Sequence, residues 1–285
     1  MGTLVTVAVE HPDVAEGKRR IGDAINEMHR IEQLMSIFME NSHISRLNRY
    51  GCCKDVDADT IEVIRGASDG FEVSDGSWDI TVLPLLKLWA DRADSGIVPT
   101  DTEIADALRL VDYRKVVIHG KNIRFDKAGM GITLAGIAKG YAVDKAMSVL
   151  TSSGIKHALV NAGGDIKAVG WKGNDRPWRV GIRNPKNKKR FAGVVELCDQ
   201  AIATSGSDRR QFDDIIDAKL GRPVEQIVSS TVIADRAIDA DVLSSCLFVL
   251  GKERGMKVMA DLGIEALAIT KEGEILRSER WRHES

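Results

Sequence analysis

The sequence predicts an α+β fold, with antiparallel-rich sheets and helices packed outside them. Three observations carry that expectation. Residues 166–169, 178–182, 192–197 and 201–204 are short strand-like runs separated by polar turns, which reads as an antiparallel meander. Residues 18–38 change period: Ile21, Ala24, Ile25, Met28, Ile31 and Met35 recur at three and four positions and make one apolar helix stripe. The common α/β nucleotide and hydrolase signatures are missing. Gly129-Met130-Gly131 lacks the third glycine of a dinucleotide fingerprint and precedes the next helix by too much, and neither a G-x-x-x-x-G-K-[ST] loop nor a G-x-S-x-G elbow occurs.

In chain order, residues 4–9 alternate apolar and polar positions and predict a strand. His29 falls off the stripe of the first helix and reads as a surface residue. Ser42 can cap a short helix through Asn48, presenting His43 and Ser45 near its start. Residues 59–73 predict a further helix, and Asp75-Gly76-Ser77 a turn. After it comes Trp78-Asp79-Ile80-Thr81, where Asp79 is either a helix cap or a hydrogen-bonding group in a pocket. Pro84 suits a first helical turn, so residues 81–92 can be helical, with Trp89 supporting a pocket wall. Residues 102–110 predict a short helix, and 115–118 with 122–125 a hairpin across Gly120-Lys121. Residues 231–234 predict a strand, 240–250 and 253–262 helices, and 266–270 with 275–277 a closing hairpin.

The 285 residues, 44% of them hydrophobic, are long enough for a substantial core. Neither a linker nor an internal repeat divides them, so one folding unit over residues 1–285 with two lobes is expected. A formal net charge of −2 with 29% charged residues points to neither a nucleic-acid binder nor an acidic tail. The cluster Lys186, Lys188, Lys189 and Arg190 after Asn184-Pro185 reads as a solvated loop. Four cysteines, with Cys52 and Cys53 adjacent, give neither a disulfide framework nor a zinc pattern. No apolar run is long enough to span a bilayer, and the N-terminus lacks a basic region followed by an apolar stretch. The expectation is a cytoplasmic protein, or an extracytoplasmic one whose leader has been removed.

Residues 132–165 are the centre of the chain: a strand, a short turn, an amphipathic helix, a second apolar run and a Gly-Gly-Asp turn. Ala142, Ala146, Val149 and Leu150 share one helix face. Lys139 stands in the first turn, where free backbone N–H groups and the helix dipole would favour an anion. Further on, Asp241 and Ser245 are four residues apart, which stacks a carboxylate and a hydroxyl on one helical face. Those are oxygen ligands that magnesium accepts, although an N-cap aspartate followed by an ordinary helix serine has the same spacing.

The run Ala135-Gly136-Ile137-Ala138-Lys139-Gly140-Tyr141-Ala142-Val143-Asp144, followed by Val160-Asn161-Ala162-Gly163-Gly164-Asp165, resembles the central signature of the ApbE family. So, in the family's order, do Met1-Gly2-Thr3, residues 42–48, Trp78-Asp79-Ile80-Thr81 to Trp89, Ala203-Thr204-Ser205-Gly206, Ile216-Asp217 with Gly221-Arg222-Pro223, and residues 241–245. The resemblance covers nearly the whole chain. It implies an ApbE-like, T-fold-like architecture with two lobes around a flavin-nucleotide cleft. It also implies an FAD:protein FMN transferase that uses magnesium and FAD to attach FMN to a threonine of an acceptor protein, a flavoprotein subunit of a membrane redox complex. The residues it assigns to FAD are Met1, Ser42, His43, Ile44, Ser45, Asp79, Lys139, Gly163 and Gly164. To magnesium it assigns Asp241, Ser245 and the Gly136 carbonyl, and to the chemistry Asp241, Lys139 and Asp217. Three positions depart from the family pattern: Asp214 replaces a histidine, Leu220 a threonine, and Ser245 a threonine. They suggest the alternatives of an FAD-binding protein without transfer, or an FAD pyrophosphatase giving FMN and AMP.

Overall fold

The structure is a computed structural model that describes residues 2–93, 96–173, 175–187, 189–206 and 215–283. The chain begins with strand β1 (Val5–Val9) and helix α1 (Val14–Met35). The helix starts earlier than its apolar stripe because Asp13 caps it, accepting from Ala15 N and Glu16 N. Ser42 caps α2 (His43–Tyr50), and Gly51 closes it in the left-handed conformation. Next come β2 (Cys52–Cys53), α3 (Ala58–Val73), a 3-10 turn at Ile80–Val82, α4 (Leu83–Ala93) and α5 (Asp101–Leu108). A capping box between Thr100 and Glu103 starts α5. The hairpin β3 (Val116–His119) and β4 (Asn122–Phe125) then leads to α6 (Ala138–Ser152), β5 (Ala158–Ala162) and β6 (Asp165–Val169). The second half runs β7 (Trp178–Arg183), β8 (Phe191–Leu197), β9 (Ala201–Gly206), β10 (Ile216–Asp217), β11 (Arg222–Pro223), β12 (Ile227–Ala234), α7 (Ala237–Asp261), β13 (Glu265–Thr270) and β14 (Ile275–Arg277).

The main sheet has seven strands in the order β1-β5-β6-β9-β12-β13-β14, every neighbouring pair antiparallel. Side-chain size sorts its two faces. Ala201, Ala203, Val232, Ala266 and Ala268 belong to the core shared with α1, α6 and α7. Their alternate neighbours Ile202, Ile233, Leu267 and Ile269 pack instead with Trp178, Val195 and Leu197 of a separate β7–β8 ribbon. The period-2 alternation thus puts small residues under the helices, so that α7 lies close to the sheet, and large ones under the ribbon. A third, smaller cluster of Leu85, Trp89, Ile104 and Ile216 ties α4 and α5 to β10. Trp89 Nε1 donates to Gly221 O at 2.8 Å there, and Trp89 is not a wall of the cavity described below.

Two expectations are corrected. The four runs of residues 166–204 are not a meander: β7 and β8 pair with each other off the sheet, and β9 returns to pair with β6. Residues 132–134 are not a strand. Their apolar side chains are buried, but the backbone of Ile132 is held by Asn48, whose Oδ1 accepts from Ile132 N at 2.7 Å and whose Nδ2 donates to Ile132 O at 2.8 Å. The helices expected over 240–250 and 253–262 both stand within α7, which breaks between them at Gly251, whose φ of 77° no other residue type adopts readily. Among the described residues no helix is long and apolar enough to cross a membrane.

Candidate active site

The site is built where the N-termini of α6 and α7 cross. A Cβ on Gly140 would lie 2.3 Å from Ala237 O, so only glycine permits this approach. At the crossing the helices exchange caps. Asp144 of α6 accepts from Ala237 N (3.0 Å) and Ile238 N (2.9 Å), the first donors of α7. Asp241 of α7 accepts from Gly140 N in the first turn of α6 at 2.9 Å. Asp241 is therefore not the cap of its own helix. Equally, the first turn of α6 is not open to an anion as the sequence suggests, because a carboxylate of the protein already faces it.

Lys139, beside that turn, has two acidic partners. Its Nζ donates to Asp165 and lies 3.7 Å from Asp241 Oδ1. Asp165 reaches it because the Gly163-Gly164 turn, at φ 66° and 110°, folds β6 straight back on β5 with Ala162 opposite Asp165. A Cβ on Gly163 would lie 2.2 Å from Thr3 Oγ1, which fixes that choice of residue as well. Both aspartates are almost wholly buried, at 1% and 2% exposure. Burial pushes Asp165 up to about 7, helped by the negative charge of Asp241 and opposed by Lys139. Burial likewise raises Asp241, against Lys139 and the Gly140 N–H. Burial alone would lower Lys139, but Asp241 and Asp165 outweigh it and keep the ammonium charged.

Hydroxyls complete the floor. Ser205 Oγ lies 3.0 Å from Ser245 Oγ and 2.9 Å from Ser244 Oγ, and Ser244 Oγ donates to Asp241 O. The backbone of Gly136 comes up against the same point, since a Cβ there would be 3.1 Å from Ser245 Oγ and from Trp78 Nε1. One ammonium facing two buried carboxylates, with hydroxyl oxygens alongside, is a hard-oxygen set with surplus negative charge, and a divalent cation fits it. Among the described residues, no group of three or more His, Cys, Asp or Glu side chains could hold a metal unaided. A cation here would draw its remaining ligands from a bound phosphate or water.

Above this floor opens a cavity of about 380 Å³. Its lining combines the polar Asp79, Lys139, Ser205, Asp241 and Ser245 with the apolar Ile80, Val82, Leu86, Ile216 and Val249. A ligand with both apolar and polar parts matches that lining, and an anionic group on it would meet the floor by way of a bound cation. The sequence profile of the ApbE family matches residues 1–268. The chain belongs to the ApbE family. It is 31% identical to the FAD:protein FMN transferase of Vibrio cholerae over 95% of this chain and 85% of that protein. It is 29% identical to the Escherichia coli K12 protein of the same name over 98% and 84%. Among solved structures, the flavin transferase ApbE from Vibrio cholerae superposes with a TM-score of 0.88 at 30% identity, covering 99% of this chain and 95% of that one. The ApbE protein of Thermotoga maritima gives 0.88 at 31%, covering 98% and 94%.

Of the residues the ApbE resemblance singles out, Asp79, Gly136, Lys139, Gly163, Asp241 and Ser245 line this one cavity. Asp79 acts as a cap too: Oδ1 accepts from Thr81 N and Thr81 Oγ1, and Oδ2 from Tyr113 N at 2.9 Å. Ser42, His43, Ile44, Ser45, Gly164 and Asp217 are not in the cavity lining. Ser42 Oγ accepts from Ser45 N and donates to Ser36 O, while Ser45 Oγ donates to Ile37 O, so both hydroxyls hold the chain entering α2. His43 Nδ1 meets Thr60 Oγ1 at 3.1 Å, its pKa lowered by burial, and Ile44 is core. Asp217 Oδ1 accepts from Lys219 N and Leu220 N and so sets the β10–β11 turn, leaving Leu220 65% exposed. Met1 and Asp214 lie outside the described residues. Asp165 and Ser205 stand in runs that resemble the family but carry no assigned role there: Asp165 reads as a turn residue until the hairpin folds it onto Lys139, and Ser205 falls one residue beyond the strand-like run 201–204.

Proposed function

We propose that this chain is a magnesium-dependent flavin transferase that moves FMN from FAD to a threonine hydroxyl of an acceptor protein, a flavoprotein subunit of a membrane redox complex. The observation that carries this reading is the cavity itself: apolar residues lining it together with Asp241, Ser245 and Lys139, in a chain similar along its length to FAD:protein FMN transferases. The acceptor oxygen bonds to the phosphorus that carries riboflavin, and the P–O bond of the pyrophosphate breaks. AMP leaves, the hydroxyl proton is released, and FMN becomes a phosphoester of the acceptor. Asp241, Ser245 and the Gly136 carbonyl would hold magnesium, which when bound would offset charge on the pyrophosphate oxygens.

This chain's own groups orient the reactants. The α6–α7 crossing fixes Asp241, the hydroxyl of Ser205 steadies that of Ser245, and Lys139 lines the cavity. The FAD contacts proposed for Met1, Ser42, His43, Ile44, Ser45, Asp79, Gly163 and Gly164, and a role in the chemistry for Asp217, rest on the family resemblance. The experiment is direct. Incubated with FAD, magnesium and an acceptor domain carrying a target threonine, the protein adds the mass of FMN to the acceptor, read by intact mass spectrometry. Release of AMP and free FMN without that mass gain would instead identify a pyrophosphatase, and unchanged FAD a binding protein.

A further inference from the structure

We propose that Asp165 is a second seat for the Lys139 ammonium, which allows Asp241 to exchange that tethered cation for a divalent one. The inference rests on Asp241 being a cation ligand. Asp241 Oδ2 accepts from Gly140 N at 2.9 Å, and Oδ1 is the oxygen nearer the lysine, with Lys139 Nζ 3.7 Å from it. In this arrangement the lysine is the resident counter-ion of Asp241. A divalent cation arriving at Oδ1 meets a like charge at close range, in a site where both carboxylates are buried and screening is weak.

The lysine has somewhere to go. Its Nζ is already hydrogen-bonded to Asp165, whose carboxylate is 1% exposed and is not part of the cavity lining. Asp165 is the first residue of β6, paired with Ala162 across the Gly163-Gly164 turn, so the backbone that carries its carboxylate is held by the hairpin. With Asp165 charged, Lys139 can shift its full charge onto a fixed partner as the cation binds. With Asp165 neutral, Lys139 has only Asp241, and ammonium and metal compete for one carboxylate. Asp165 is on this account a positioning residue, and removing Lys139 should undo the effect of removing its charge.

Manganese serves as the paramagnetic stand-in for magnesium, with free Mn2+ read by electron paramagnetic resonance, with and without FAD. Asp165→Asn is expected to weaken Mn2+ binding roughly tenfold, the size of one like-charge contact left uncompensated in a partly screened site. Lys139→Met alone is expected to tighten binding, and Asp165→Asn with Lys139→Met to return it to within about threefold of the unaltered protein, the coupling expected of a contacting pair. A purely structural Asp165 would give a loss that Lys139→Met does not rescue, and that result overturns the proposal. Binding that needs Asp241, by comparison with Asp241→Asn, but is the same in Asp165→Asn overturns it while leaving the metal reading intact. Binding unaffected by Asp241→Asn, or no saturable binding in either condition, overturns both. Should Asp165→Asn fail to fold by its thermal melt, Lys139→Met decides alone: tighter binding supports the exchange, and unchanged or weaker binding overturns it.

Discussion

Asp79 is buried with three donors directed at its two oxygens, so its carboxylate is a structural joint as much as a wall of the cavity. Asp79→Ala strips acceptors from Thr81 N and Tyr113 N together and should lower the unfolding free energy by about 1–3 kcal/mol, measured by urea titration. An unchanged midpoint would mean that the surrounding backbone finds other partners. The residue scale also shows what a sequence can signal. The i, i+4 spacing of Asp241 and Ser245 brought both to one cavity because helical geometry is local. Asp165 gave no comparable sign, since its partner is 26 residues away and the pairing exists only once the β5–β6 hairpin has closed.

Between elements, the two aspartate caps and Gly140 make one joint. Asp144→Ala should cost about 0.5–2 kcal/mol, the usual range for a lost N-cap, although the helix that loses its cap is α7 and the mutated residue lies in α6. Gly140→Ala forces a methyl group into Ala237 O and should cost about 1–3 kcal/mol, with flavin binding weakened alongside, because Asp241 moves with the crossing. Chemical denaturation with a parallel FAD titration checks both. A Gly140→Ala protein of native stability would refute the close approach. Elements with local start signals were legible: the cap at Ser42 and the stripe of α1 both stand in the structure. The run Ile132-Thr133-Leu134 before α6 was not, because a buried loop and a buried strand read alike in hydrophobicity and differ only in where the backbone bonds go, here to Asn48. The β7–β8 ribbon was missed as a separate layer for a related reason: strand runs can be recognised singly, but their partners are chosen by tertiary packing.

Across the molecule, a polar knot joins three helices beside the main core. Tyr141 Oη of α6 lies 2.6 Å from Asp59 Oδ1 and 2.8 Å from Glu62 Oε2 of α3, within reach of either carboxylate for its one proton, and Asp59 also pairs with Lys145 of α6 and Arg30 of α1. Burial alone would raise Asp59, but the Tyr141 hydroxyl, Arg30 and Lys145 hold it down, from 3.8 to about 2. A carboxylate depressed in the folded state binds its proton more readily when unfolded, so its stabilisation is complete above the ordinary value and is lost as pH falls toward the folded one. The melting temperature should therefore drop between pH 4 and pH 2, and Asp59→Asn should make that acid limb shallower. An identical limb in the variant would assign the acid sensitivity to other groups.

The exchange of caps between α6 and α7 bears on how the protein is made. Gly140 and Asp241 are 101 residues apart, and Asp144 and Ala237 93, so no early, local piece of the folding chain can hold even half of the site. Contacts so distant in sequence close late, because loop closure must precede them. A ligand of this site would then meet only finished molecules: it would lengthen the life of the folded protein by slowing its unfolding, while leaving the rate of folding almost unchanged.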